Sequence, residues 1–272
     1  MKKKISSIII IISIVLLAFS VYKIIEWKKD NDRTEELIAT INEILKTKEL
    51  DDESFEISKL SQNIEINKEN YYWKYVDLPL MKVDFNNLIN INEDTVAFVS
   101  VPNTNINYPV VQTNNNDFYL NHTYDKSLNS AGWVFLDYRN NIKELSSNNV
   151  IYAHSRLDKT MFGTLRNILK EAWLNNKDYH YVRLTTPEYS SIWQVFSVYK
   201  IETEIGYLKT EFSTSNEKLA FYNNLLNRSI YNFDTVVDVE DKILTLSSCY
   251  NESEKVVLHA RLIKFGQYIS EY

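Results

Sequence analysis

Apolar positions follow three regimes along the chain. Ile5 to Tyr22 is a run of 18 residues without a charge, dominated by Ile, Val and Leu. A bilayer core takes about 20 such residues, whereas the apolar region of a signal peptide takes about 7–15. From Glu26 to Lys48 the spacing becomes helical: Leu37, Ile38, Ile41, Ile44 and Leu45 form one stripe, which must pack on something. Leu50 to Asn70 is polar and acidic without a clear period and reads as a linker or wrapped extension. From Tyr71 short β-like runs take over. Thr95–Val101 and Ile106–Gln112 flank the turn-rich Pro102-Asn103-Thr104-Asn105; Gly132–Asp137 and Asn149–His154 follow; Tyr179–Thr186 and Ser190–Glu202 form a long hairpin around Pro187. Asp117–Leu120 is short enough for a helical turn. Two amphipathic helices interrupt the strands. Lys159–Lys170 carries Met161, Phe162, Leu165, Ile168 and Leu169 at helical spacing; Asn216–Asn227 carries Leu219, Tyr222, Leu225 and Leu226 on one face, with Ser213 or Ser215 to cap it.

The last stretch, Asp241 to Gly266, holds two further strands around a short polar loop. Side chains alternate along a strand, so Ile243, Thr245, Ser247 and Cys249 share one face, and Val257, His259, Arg261 and Ile263 share another. Short strands with few helices predict a mainly β fold with peripheral helices, closed or nearly closed into a barrel. The expected divisions are a basic tip at 1–4, a membrane anchor at 5–25, a helical extension and linker at 26–70, and a catalytic β-barrel domain at 71–272. Lys2, Lys3 and Lys4 favour a cytoplasmic N-terminus, although Lys23, Lys28 and Lys29 make the asymmetry modest. The competing reading is a cleaved signal peptide, with Ala18-Phe19-Ser20 as a weak cleavage site.

Composition narrows the function. The formal net charge is −6 and no basic run occurs beyond the N-terminal tip, which argues against nucleic acid as a partner. There are only four Gly and four Pro, and no phosphate-cradling Gly motif. Cys-x-x-Cys, His-Glu-x-x-His, an Asp-rich calcium loop and a serine nucleophile elbow are all missing, so neither a cofactor nor a metal is implied. The acidic run Asp238, Glu240, Asp241 reads as a solvated edge. One cysteine, Cys249, excludes an intramolecular disulfide and leaves either a buried small hydrophobe or a reactive thiol. A reactive thiol needs a base or a positive charge nearby. Of the four histidines, His154 ends a strand and opens a polar loop, a position suited to a site residue, and His259 on the predicted face of Arg261 is its rival. Arg261 is either a solvated cation or a donor aimed at an oxyanion. The order His154, Cys249, Arg261 does not fit papain-like proteases, and the Gln-Ala-Cys context of caspases is missing.

Thr245-Leu246-Ser247-Ser248-Cys249, followed by a strand containing Arg261, resembles the Thr-Leu-x-Thr-Cys…Arg signature of sortases, and Tyr152-Ala153-His154 fits the family's histidine position. Class B sortases are the nearer match. Tyr108-Pro109-Val110-Val111-Gln112, Asn116-Asp117-Phe118-Tyr119-Leu120, Asp137-Tyr138-Arg139-Asn140 and Met161-Phe162-Gly163-Thr164-Leu165 all look like class B segments, as does a helix before the last two strands. The resemblance spans about residues 71 to 266. Ser248 replaces the usual Thr, and the Cys-to-Arg interval is slightly long for the pattern.

The resemblance implies a sortase-like closed β-barrel with an N-terminal helical extension. It also implies a membrane-anchored cysteine transpeptidase of a Gram-positive surface, single-pass, with its catalytic domain outside. Such an enzyme cleaves a C-terminal sorting signal close to Asn-Pro-x-Thr-Asn or Asn-Pro-x-Thr-Gly after Thr and joins the protein to a peptidoglycan precursor amine. Cys249 would be the nucleophile, His154 the general acid and base, and Arg261 the holder of the oxyanion or signal backbone. Asn116, Leu120, Thr203, Tyr207, Leu208 and Ser247 would line the signal groove. The alternatives are a surface cysteine endopeptidase releasing the acyl group to water, and a non-enzymatic anchored binding domain.

Overall fold

The computed structural model describes residues 2–58, 71–249 and 253–269; the side chains of residues 2–7, 58, 72 and 249 lie outside that description. Helix α1 runs unbroken from Lys2 to Ile44 and joins the apolar run to the amphipathic stripe. At 1.5 Å per residue it is about 65 Å long. Ile8 to Ile25 is exposed on all sides, so this stretch is long and apolar enough to cross a membrane. The later turns are docked on the domain. Asp30 accepts from the Ser130 backbone and hydroxyl and from the Asn129 amide, Asn31 bonds Arg156, and Ile41 enters the main core.

Strand β1 (Thr47–Leu50) pairs with β3 (Leu80–Val83) in a small antiparallel sheet. The helical stripe therefore stops at Ile44, short of the expected Lys48. Strand β2 (Phe55–Ser58) adds to the edge of the main sheet, so this part of the expected linker is ordered; residues 59–70 lie outside the described residues. Helices α2 (Tyr72–Val76) and α3 (Phe85–Ile91) stand where short β runs were expected.

The main sheet contains β4 (Thr95–Ser100), β5 (Asn107–Val111), β6 (Phe135–Leu136), β7 (Asn148–Ala153), β8 (Tyr181–Thr185), β9 (Tyr189–Glu202), β10 (Ile243–Cys249) and β11 (Glu254–Tyr268). Their order is β10-β7-β6-β5-β4-β8-β9-β11, and pairing of β10 with β11 closes the barrel; β2 lies outside on β11. Alternation carries the core. Leu244, Leu246, Val256, Leu258 and Ala260 fill the interior, while Ile243 and Val257 on the other face pack with Phe196, Tyr199, Tyr207, Tyr222 and Leu225. That outer layer is covered by α5 (Ser215–Asn227) and the segment leading to it. Thr214, rather than Ser213 or Ser215, caps α5 by accepting from the Glu217 amide.

The helix expected over Lys159–Lys170 does not form. Lys159 and Met161 adopt φ of 68° and 50°, and the segment is a loop followed by a 3-10 turn at Leu165–Leu169 and the short α4 (Glu171–Leu174). Met161, Phe162, Leu165 and Ile168 are nevertheless fully buried, so the loop satisfies the apolar pattern without helical geometry.

Candidate active site

Backbone register brings the site together. β7 lies parallel to β10, and their last paired positions are Ala153 and Ser248. On its other side β10 runs antiparallel to β11, ending with the pair Cys249 and Lys255. His154 follows Ala153 directly. Positions 154, 249 and 255 therefore stand level on three neighbouring strands, about 5 Å apart from strand to strand. The Cys249 side chain lies outside the described residues.

A groove of about 340 Å³ opens at this level on the outer face of the barrel. Its walls come from four directions. Asn116, Asp117 and Leu120 belong to the turn after β5, Tyr152 and His154 to β7 and its end, Ser247 and Lys255 to the last two strands, and Thr203 to Leu208 to the segment entering α5. Asn116, Leu120, Thr203, Tyr207, Leu208, Ser247 and His154 thus meet in one cavity, although more than 130 positions separate the first from the last. The site lies on the barrel wall beside the segment that leads into α5. Tyr207 is pinned there by its hydroxyl, 2.9 Å from that of Ser247.

His154 is half-buried, and its Nε2 lies 2.7 Å from the Leu120 carbonyl. A carbonyl only accepts, so Nε2 carries the proton and Nδ1 is the basic nitrogen of the neutral ring. Gly132 holds this contact in place, a role the sequence reading missed. Its φ is 59°, and an added Cβ would stand 2.5 Å from the Tyr119 carbonyl, 2.9 Å from that of Leu120 and 3.0 Å from His154 Cδ2. The other histidines are occupied elsewhere. His122 stacks on Phe118, and His180 is buried against Trp173. His259 sits wholly buried between the Tyr199 hydroxyl and Thr245 Oγ1, each 2.8 Å away. Burial pushes its pKa down to about 3, with the Arg228 cation adding to the shift.

Asp137 organises the far wall. Its fully buried carboxylate accepts from Arg139 Nε and Nη2 at 2.8 and 2.7 Å, from the Tyr152 hydroxyl at 2.8 Å and from Asn116 Nδ2 at 3.0 Å. Burial alone would raise its pKa; the Arg139 bonds and the Tyr152 hydroxyl outweigh it, so the carboxyl stays below the usual range. Arg139 then donates to the Leu208 carbonyl at 3.0 Å, tying the segment before α5 to the same carboxylate.

Comparison with known proteins agrees with this arrangement. Residues 99–263 match the model of the sortase domain. Sortase B of Staphylococcus aureus is 34% identical over 189 residues, covering 68% of this chain and 76% of that protein. Sortase B of Listeria monocytogenes is 31% identical over 186 residues, 66% of this chain and 74% of that one. The solved Staphylococcus aureus sortase B-substrate complex superposes with a TM-score of 0.62 at 33% identity, covering 66% of this chain and 84% of that one. The chain belongs to the sortase family, class B. It is a sortase-type cysteine transpeptidase with the closed barrel of that family.

The position expected for the sortase arginine needs correction. Arg261 pairs with Ile243, six register positions from the Cys249–Lys255 pair, so its backbone lies about 20 Å down the strand. The residue is only 3% exposed; Nε and Nη2 donate to Gln194 Oε1 at 3.3 and 3.2 Å, and Nη1 stands 3.7 Å from Asp241. Asp241 is itself buried, with its pKa raised by that burial, and is not the solvated edge its sequence suggested. The structure does not bring Arg261 to the groove; the lysine or arginine among the described lining residues is Lys255.

Proposed function

We propose that this sortase is held in the membrane by residues 5–25, with residues 1–4 cytoplasmic, a helical extension and linker over 26–70, and the catalytic domain of 71–272 outside the cell. Its substrate is a surface protein ending in an Asn-Pro-x-Thr-Asn- or Asn-Pro-x-Thr-Gly-like signal, cleaved after Thr and joined to a peptidoglycan amine. What carries the reading is the level placement of positions 154 and 249 at the edge of the groove. The Staphylococcus aureus relative solved as a substrate complex supports it.

The chemistry follows from the residues. Cys249 is the chain's one thiol; its proton passes to His154 Nδ1 and its sulfur attacks the Thr carbonyl carbon. The tetrahedral oxyanion collapses as the C–N bond breaks, and His154 Nδ1 delivers a proton to the departing amine. The thioacyl-enzyme waits until an acceptor amine attacks the same carbon; Nδ1 takes its proton and returns it to the departing sulfur as the C–S bond breaks, and a new amide leaves. Asn116, Leu120, Thr203, Tyr207, Leu208 and Ser247 hold the signal, with the Asp137 network keeping Asn116 in place.

The test is ligation by the full chain in detergent micelles, using a sorting-signal peptide with and without an amine nucleophile, followed by mass spectrometry. A joined product that appears with the amine and is lost in Cys249→Ala and His154→Ala supports the proposal. Hydrolysed peptide alone at saturating amine replaces it with the endopeptidase reading.

A further inference from the structure

The geometry points to Lys255 as the cation that faces the reacting carbonyl, a place the sequence pattern gives to Arg261. This inference rests on the transpeptidase reading of the groove. β10 is flanked by β7 on one side and β11 on the other, so position 249 has two lateral neighbours at its own level. One is His154, whose protonated Nε2 is fixed on Leu120. The other is Lys255, directly opposite in the antiparallel ladder and half-buried on the groove wall. Opposed residues of such a ladder have Cβ atoms about 5 Å apart. An acid–base group thus stands on one side of the thiol position and a positive charge on the other.

Among the described residues lining the groove, Lys255 is the one Lys or Arg. Arg261 shares the face of Lys255 by strand parity, which is why alternation alone favours it, but it lies beyond Val257 and His259 and is engaged with Gln194 and Asp241. When sulfur attacks the scissile carbonyl, negative charge gathers on its oxygen. An ammonium beside it stabilises that charge and leaves again without changing its own protonation. Loss of such a donor costs about 10²–10³-fold in turnover. A lysine provides this as a compact point charge rather than a two-pronged fork, so an arginine in its place should retain most of the effect.

Two readouts on the full chain in micelles test this. The first needs no substrate: the alkylation rate of Cys249 by anionic iodoacetate relative to neutral iodoacetamide, unambiguous because the chain has one cysteine. A cation about 6 Å from an approaching reagent favours an anionic one about threefold, even at the dielectric of water. Lys255→Met is expected to remove that preference, Lys255→Arg to restore it, and Arg261→Met or the milder Arg261→Lys to leave it unchanged. The second readout is kcat/KM for the signal peptide, expected to fall about 100-fold in Lys255→Met and by less than tenfold in Lys255→Arg. An unchanged alkylation ratio in Lys255→Met, or an equal loss in folded Arg261→Lys, overturns the assignment. A ratio that responds in an enzyme ligating no signal peptide upholds Lys255 and faults the substrate reading instead.

Discussion

Replacing His259 by Gln separates the two histidines that compete for the catalytic role. In the folded protein His259 is wholly buried and its pKa is depressed to about 3, whereas in the unfolded chain it is that of a free imidazole, about 6.5. The sign follows: below pH 6.5 the unfolded state takes up a proton that the folded state refuses, so stability falls as pH falls and stops falling near pH 3. The limiting slope is about 1.4 kcal/mol per pH unit. Between pH 6.5 and 4.5 the loss integrates to about 2 kcal/mol, equivalent to about 4–8 °C in melting temperature for a domain of this size. His180, also depressed by burial, adds to the acid loss in both proteins and cancels in the difference. His259→Gln is expected to start lower at pH 8, because it gives up ring contacts with Phe196 and Tyr199, and to lose less on acidification. Differential scanning of both proteins from pH 8 to 4.5 reads the difference. Ligation by the variant at pH 7.5 should survive, since His259 is outside the groove, whereas His154→Ala should abolish it. Parallel stability curves, or loss of ligation in a folded His259→Gln, would refute the reasoning.

Two further substitutions probe the groove. Asp137→Asn removes a buried charge that holds Arg139, Tyr152 and Asn116, and is expected to cost about 2–4 kcal/mol in urea unfolding and to raise KM for the signal peptide. Because the Asp137 carboxyl is held low, its stabilisation is present above about pH 4 and lost below it; the variant should lack that portion of the acid response. Gly132→Ala should force the Leu120 carbonyl and the His154 ring apart and lower kcat/KM by about 100-fold in steady-state assays, with a conformational penalty from the positive φ.

Much of this was legible in the sequence because local rules carried it. Alternation picked out the strands from Thr95 onward and grouped Thr245 with Cys249 and His259 with Arg261; the register of β10 on β11 puts the two sets on one face, where Thr245 and His259 are hydrogen-bonded. Parity is not register. Lys255, Val257, His259 and Arg261 have the same parity, and only the hairpin's pairing decides which of them stands opposite Cys249. The N-terminal segments read as separate because one is uniformly apolar and the other striped. They form one helix because no Gly or Pro occurs before Pro79 to break it. At Lys159–Lys170 the apolar spacing is genuine, but positive φ at Lys159 and Met161 turns it into a loop that buries the same side chains. Gly132 carried no motif; its importance lies in contacts with carbonyls and a ring distant in sequence. Asp241 looked solvated because its partner, Arg261, lies 20 positions further along the chain.

The central claim is that the thiol at position 249 takes the acyl group in this groove. Intact-mass and peptide-mapping spectrometry of the full chain, quenched in acid after mixing with a signal peptide and no amine, tests it most directly. The account predicts a thioester carrying the signal up to its Thr on Cys249, discharged by added amine and missing in His154→Ala. An acyl group mapped to another residue, or cleavage that proceeds in Cys249→Ala, would contradict it.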